Sequence, residues 1–98
     1  MDKLVYLNNL FDLYGELLTD KQQMYFKDYY FDNLSYGEIS DKYNVSRNAA
    51  FRQLKLIESK LELYEKKLKL YHKREKINNI LDRIDDAKLR DEIKEIIE

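Results

Sequence analysis

Residues 35–55 read SYGEISDKYNVSRNAAFRQLK, and this stretch decides the fold. Ser35-Tyr36-Gly37-Glu38 has the form of a capping box, in which a hydroxyl and a carboxylate three residues apart each satisfy a backbone N–H at a helix start. The helix it opens ends near Tyr43, about two turns on, and a helix that short is not stable without a partner. Asn44 follows, and asparagine tolerates the left-handed backbone of a tight turn. Val45 is apolar and plugs the turn, and Ser46 is a further N-cap. From Arg47 the next helix meets no breaker for about 25 residues. A capped two-turn helix, a turn and a second capped helix make a helix-turn-helix, whose first helix crosses the DNA backbone while the second enters the major groove. Ile39 stands where the two helices pack, and Ser40 where a small residue lets them approach.

On a wheel of about 100° per residue, Ala50, Leu54, Ile57 and Leu61 fall within about 60° of one another and form a core face. Arg47, Asn48, Phe51, Arg52 and Lys55 cover a separate arc of about 140°. Arginine pairs bidentately with guanine, asparagine with adenine, and an apolar ring can touch a thymine methyl. With the cap Ser46, these five residues are the candidate DNA-binding set. The plainer alternative is a solvated helix face with one stray aromatic. The agreement of several N-cap signals with the core positions on one motif favours the DNA-docking face.

Working outward, residues 3–18 read as an amphipathic helix with Leu4, Leu7, Phe11, Tyr14 and Leu18 on one face. Thr19-x-x-Gln22 is another capping box, opening a helix from Asp20 to about Asp32 that buries Tyr25, Phe26 and Tyr29. Asn33-Leu34 is a short break. Beyond the motif, Leu54, Ile57, Leu61, Tyr64, Leu68 and Tyr71 repeat as a heptad seam, and Leu56, Leu63 and Leu70 form a second line seven residues apart. One helix with two apolar lines needs two partners. The second line is covered either by the chain's own C-terminal helices or by a second copy, and Leu56, Leu63, Tyr64, Leu68, Leu70 and Tyr71 are the candidate dimer interface. Lys66, Lys67, Lys69, Lys73, Arg74 and Lys76 interleave with the seam. They read equally well as phosphate or RNA contacts and as a coiled-coil flank paired with Glu62, Glu65 and Glu75. Ile77, Ile80, Leu81 and Ile84 give a fifth helical face. Asp85-Asp86 marks a break, and Leu89, Ile93, Ile96 and Ile97 give a sixth face.

The chain has 98 residues, no proline and two glycines, a composition that favours helices over strands and turns. Its net charge of −1 hides an uneven distribution. Residues 1–34 hold three bases and six acids, whereas residues 46–76 hold ten bases and four acids. A local basic field is what a phosphate backbone responds to. Without cysteine there is neither a disulfide framework nor a zinc knuckle. His72 is the only histidine, so a metal site or a Ser-His-Asp centre has no support, and no cofactor and no enzymatic activity are expected. No apolar run reaches the ~20 residues of a membrane span, and Met1-Asp2-Lys3-Leu4 lacks a signal-peptide layout. The expectation is a cytoplasmic protein with no membrane contact.

Leu18-Thr19-x-x-Gln22, the tyrosine-rich second helix, Leu34-Ser35-x-x-Glu38-Ile39-Ser40 and Val45-Ser46-Arg47-x-Ala49 resemble region 4 of bacterial sigma factors. They resemble still more closely the YlxM-type helix-turn-helix proteins, across roughly residues 3–76. Ser40 stands where that family usually has alanine, Asn44 where it has glycine and Ala50 where it has valine. The resemblance implies an all-α, sigma region 4-like helix-turn-helix bundle with a long extended recognition helix and a C-terminal helical hairpin. It divides into a DNA-binding domain at 1–60 (motif 35–55) and a helical dimerisation extension at 61–98, continuous with the recognition helix. It further implies a homodimeric regulator that binds double-stranded DNA and is associated with signal recognition particle genes. The competing reading is an accessory protein acting on the signal recognition particle or its RNA.

Overall fold

The structure is a computed structural model and describes residues 2–98. Among the described residues it is all-helical: α1 (Lys3–Tyr14), α2 (Asp20–Tyr30), α3 (Tyr36–Tyr43), α4 (Arg47–Leu68), α5 (Leu70–Leu81) and α6 (Ala87–Ile97). Each N-cap expected from the sequence closes a real bond. Thr19 and Gln22 exchange both bonds of a capping box ahead of α2, as do Ser35 and Glu38 ahead of α3. The Ser46 hydroxyl accepts from the Ala49 N–H at 3.0 Å and starts α4. Asn44 ends α3 with φ 54°, and the Val45 N–H bonds back to the Ser40 carbonyl, which turns the chain into α4.

The chain forms two compact units, Met1–Leu68 and Lys69–Glu98. In the first unit α1, α2 and α3 all pack on α4, and α2 packs on α3. Its core is Leu7, Leu10, Tyr14, Leu18, Tyr25, Phe26, Ile39, Ala50, Leu54, Ile57 and Leu61. Two buried acids on α4 are tied to tyrosines. Glu58 accepts from the Tyr30 hydroxyl, and Glu65 accepts from the Tyr14 hydroxyl at 2.7 Å. Asp28 on α2, also buried, accepts from Tyr43 at 2.5 Å and Lys42 at 2.9 Å and so clamps α2 to the end of α3. In the second unit Tyr71 and Leu81 are buried, the Arg74 guanidinium lies over the Tyr71 ring, and the Asp86 carboxylate caps α6.

Three expectations need correcting. The first helix is α only to Tyr14 and finishes in a 3-10 turn over Gly15–Leu17. Its buried stripe is Leu7, Leu10 and Tyr14, while Leu4 is exposed and Phe11 half-buried. The first turn of α1, with Leu4 and Val5, is exposed, and burial begins at Leu7. The run of about 25 residues expected without a breaker is cut short: α4 carries on unbroken through residue 61 but stops at Leu68, and Lys69 takes a left-handed backbone, φ 56°, before α5 begins. Glu65, expected on a solvated flank, is buried and accepts from the Tyr14 hydroxyl.

Candidate nucleic-acid interface

The α4 helix places its basic and amide side chains by period alone. Ala50 and Leu54 are 0% and 1% exposed, pressed against the first unit's core. Around the other side Ser46, Arg47, Asn48, Phe51, Arg52 and Lys55 are all exposed. The face is therefore anchored from behind by apolar contacts at successive turns, and its outward side chains ride on that backbone.

Aromatic rings brace this face from within. Phe11 stacks on Phe26 with centroids 4.3 Å apart, Phe26 stacks on Tyr30 at 4.4 Å, and Tyr30 meets Tyr29 edge-on at 4.9 Å. Tyr29 then stacks on Tyr36 at 5.0 Å, and Tyr36 meets the exposed Phe51 edge-on at 5.3 Å. Each offset-stacked or edge-on pair adds about 0.5–1.5 kcal/mol beyond its burial. Phe51 is thus the outer end of a ladder that begins in the core, which the sequence spacing of the tyrosines does not reveal. The Lys55 ammonium lies 5.3 Å from the centre of the Phe51 ring and 3.4 Å from a Glu58 oxygen. Lys3 approaches Glu58 at 3.9 Å from α1.

These contacts push several tyrosines up. The hydrogen bond to Tyr29, followed by burial, holds the Tyr36 phenol up to about 12, against the ordinary 10.0. Burial, followed by the bond to Glu58, raises Tyr30 well above its ordinary value. Burial and then the Asp28 contact raise Tyr43. All stay neutral donors at physiological pH, so the field of the face comes from its arginines and lysines.

Shallow grooves border the face, among them one lined by Ala49, Arg52, Gln53 and Leu56 and two larger ones. One, of about 360 Å³, is lined by Ser35, Tyr36, Gly37, Arg47, Asn48 and Phe51. The other, of about 560 Å³, lies between the start of α1, the α2–α3 turn and α4, with Glu58, Tyr30 and Lys55 on its walls. No cluster of three or more His, Asp or Glu could hold a metal ion among the described residues, and no helix there is long and apolar enough to cross a membrane.

The dimer candidates divide. Leu56 and Leu63 are 49% and 47% exposed on the side of α4 turned away from the core, and Leu68 and Leu70 are exposed at the two sides of the Lys69 break. Tyr64 is half-buried, its ring tilted against Tyr14 at 6.0 Å. Tyr71 is 8% exposed and offers little surface to a second chain.

The whole chain, residues 1–98, matches the family described as "UPF0122: Putative helix-turn-helix protein, YlxM / p13 like". It is similar to UPF0122 proteins of Shouchella clausii (48% identical), Halalkalibacterium halodurans (45%) and Bacillus pumilus (46%), each over 61 residues. In each case the match covers 62% of this chain and 56% of the relative, so the matched part spans little more than half of those proteins.

Proposed function

The chain belongs to the UPF0122 family of YlxM/p13-like helix-turn-helix proteins, and from that premise we propose that it is a homodimeric regulator that reads double-stranded DNA through α4. The observation that carries this reading is the split of α4, with Ala50 and Leu54 sealed in the core and Arg47, Asn48, Phe51, Arg52 and Lys55 exposed on one continuous arc. In this reading α3 crosses the DNA backbone, and its partnered start at Ser35 fixes the angle at which α4 enters the major groove. Arg47, Arg52 and Asn48 supply base-edge hydrogen bonds, and Lys55 supplies phosphate contact. The exposed leucines Leu56 and Leu63 join two copies, which pairs two half-sites. Regulation of transcription in the cytoplasm, with signal recognition particle genes among the targets, rests on the family resemblance alone.

A second reading is favoured by one specific feature, the exposed Phe51 ring held edge-on by Tyr36 with a lysine over it. Such a ring stacks on unpaired bases, which is how structured RNA is bound. In that case the protein is an accessory factor of the signal recognition particle or its RNA. Titration of the protein with mixed-sequence duplex DNA and with a structured RNA, over a range of salt, separates the two. Tighter binding to duplex, with a steep fall on added salt, supports DNA reading. Tighter binding to RNA that is lost in Phe51→Ala supports the second reading, and binding to neither removes both.

A further inference from the structure

Gly37 is the second residue of α3, where the local physics argues against glycine. Glycine is the poorest helix former after proline, and α3 has only eight residues. No glycine in the described chain has a positive φ, so the backbone at Gly37 does not require one. The reason lies outside the helix. A Cβ built at Gly37 would stand 2.9 Å from Nη2 of Arg47, 3.1 Å from its Nε and 3.4 Å from its Cζ. The guanidinium therefore lies against the bare Cα of Gly37, with Nη2 too close and Nε tight for any Cβ there. The same group forms a wall of the groove that Asn48 and Phe51 also line.

The geometry points to Gly37 as a positioning residue: by lacking a side chain it seats the Arg47 guanidinium on the first turn of α3 and fixes the direction from which that arginine meets nucleic acid. This rests on the DNA-reading role of α4. The atoms that a Cβ would meet are the far end of a flexible side chain, so the fold accommodates alanine and only Arg47 has to move. Alanine also suits the helix better and restricts the unfolded chain. Stability and arginine placement should then change in opposite senses, a combination that a purely structural role for Gly37 does not produce.

The test compares the full chain with Gly37→Ala, Arg47→Ala and the double variant. Thermal melts, binding to a fluorescent mixed-sequence DNA duplex at low salt, and the Arg47 Nε–Hε signal in a nitrogen-proton correlation spectrum are recorded for each. Gly37→Ala should raise Tm by about 2–8 °C, shift the Arg47 signal, and weaken duplex binding about two- to threefold or more. In the Arg47→Ala background the same change should leave binding unaltered. An unmoved Arg47 signal overturns the inference, as does a loss of binding that persists without Arg47 or unchanged binding by Gly37→Ala when Arg47→Ala binds weakly. If Arg47→Ala binds as the parent does, the reading of α4 fails at that residue, while the Arg47 signal still decides whether Gly37 seats it.

Discussion

Arg52 and Leu54 stand two residues apart on α4 and meet opposite surroundings. Arg52 is exposed, whereas Leu54 is 1% exposed in the core. Replacing Arg52 with alanine should change stability by no more than about 0.5 kcal/mol. If its guanidinium reads a base, the change costs about 1–3 kcal/mol in binding and relaxes specificity at that base pair. If it meets only phosphate, binding weakens evenly across sequences and the salt slope falls by about one unit. Leu54→Ala should instead cost about 2–5 kcal/mol of stability through the cavity it leaves. Melts and duplex titrations on both variants check this pair, and parent-like binding of Arg52→Ala to every duplex would remove that residue from the reading face. Ala50 and Leu54 were legible because their spacing matches the helix turn. Glu58 and Glu65 were not. Their inward turn depends on Tyr30 and Tyr14 from other helices, and nothing in the local sequence marks a carboxylate that will meet a phenol 28 or 51 residues away.

At the scale of the element, the motif is a matter of helix ends. Ser46→Ala removes the hydroxyl that holds the Ala49 N–H and should cost about 1 kcal/mol. The turn it frays carries Arg47 and Asn48, so duplex affinity should fall with it. A melt and a titration of the same preparation check both, and Ser46→Asp, which caps equally well, should restore stability. The tyrosines joining α2, α3 and α4 set an alkaline limit. For Tyr36 the neutral phenol is favoured in the fold, since its value is raised from 10.0 to about 12. The folded state therefore holds that proton more tightly than the unfolded chain does. Its contribution is fully present below pH 10 and is lost as pH rises from 10 through about 12. Tyr30 and Tyr43 are shifted in the same direction. Tm should hold up to about pH 10 and then fall, less steeply in Tyr36→Phe. A Tm flat through that range would show that the cluster carries no such linkage. Helix ends also show where sequence stops being informative. The two left-handed residues at 33 and 44 are asparagines, the type that announces such a turn, and both breaks were legible. The third is Lys69, whose side chain has no preference for that backbone, and the leucines at 68 and 70 continue the apolar pattern across it.

For the whole molecule, the question is what the outward side of α4 does. The total charge of −1 tells little, because residues 1–34 are acidic and residues 46–76 are basic. Of the acids in the basic stretch, Glu65 is turned in to Tyr14 and Glu58 is paired with Lys55 and Lys3, so Arg47 and Arg52 are the cationic groups the face presents. Leu54 and Leu61 on that helix are sealed in the core, whereas Leu56 and Leu63, beside Arg52 and away from the core, remain about half exposed. Two such residues seven apart on a helix make a narrow apolar line of the kind that pairs helices. In a protein that reads paired half-sites this line is the proposed junction, running toward the C-terminal end of α4 from the groove that Leu56 shares with Arg52. The parent chain should then be a dimer at micromolar concentration by light scattering. Leu63→Lys should shift it to monomer, because an ammonium would be placed in an apolar contact without a partner. Glu62→Lys, one residue along on an exposed position, should leave the dimer in place. Duplex binding should follow the dimer, falling in Leu63→Lys even though no residue of the reading face has changed. A parent chain that is monomeric at every concentration would remove the paired-half-site arrangement. Equal effects of the two lysine variants would instead place the junction on a different surface.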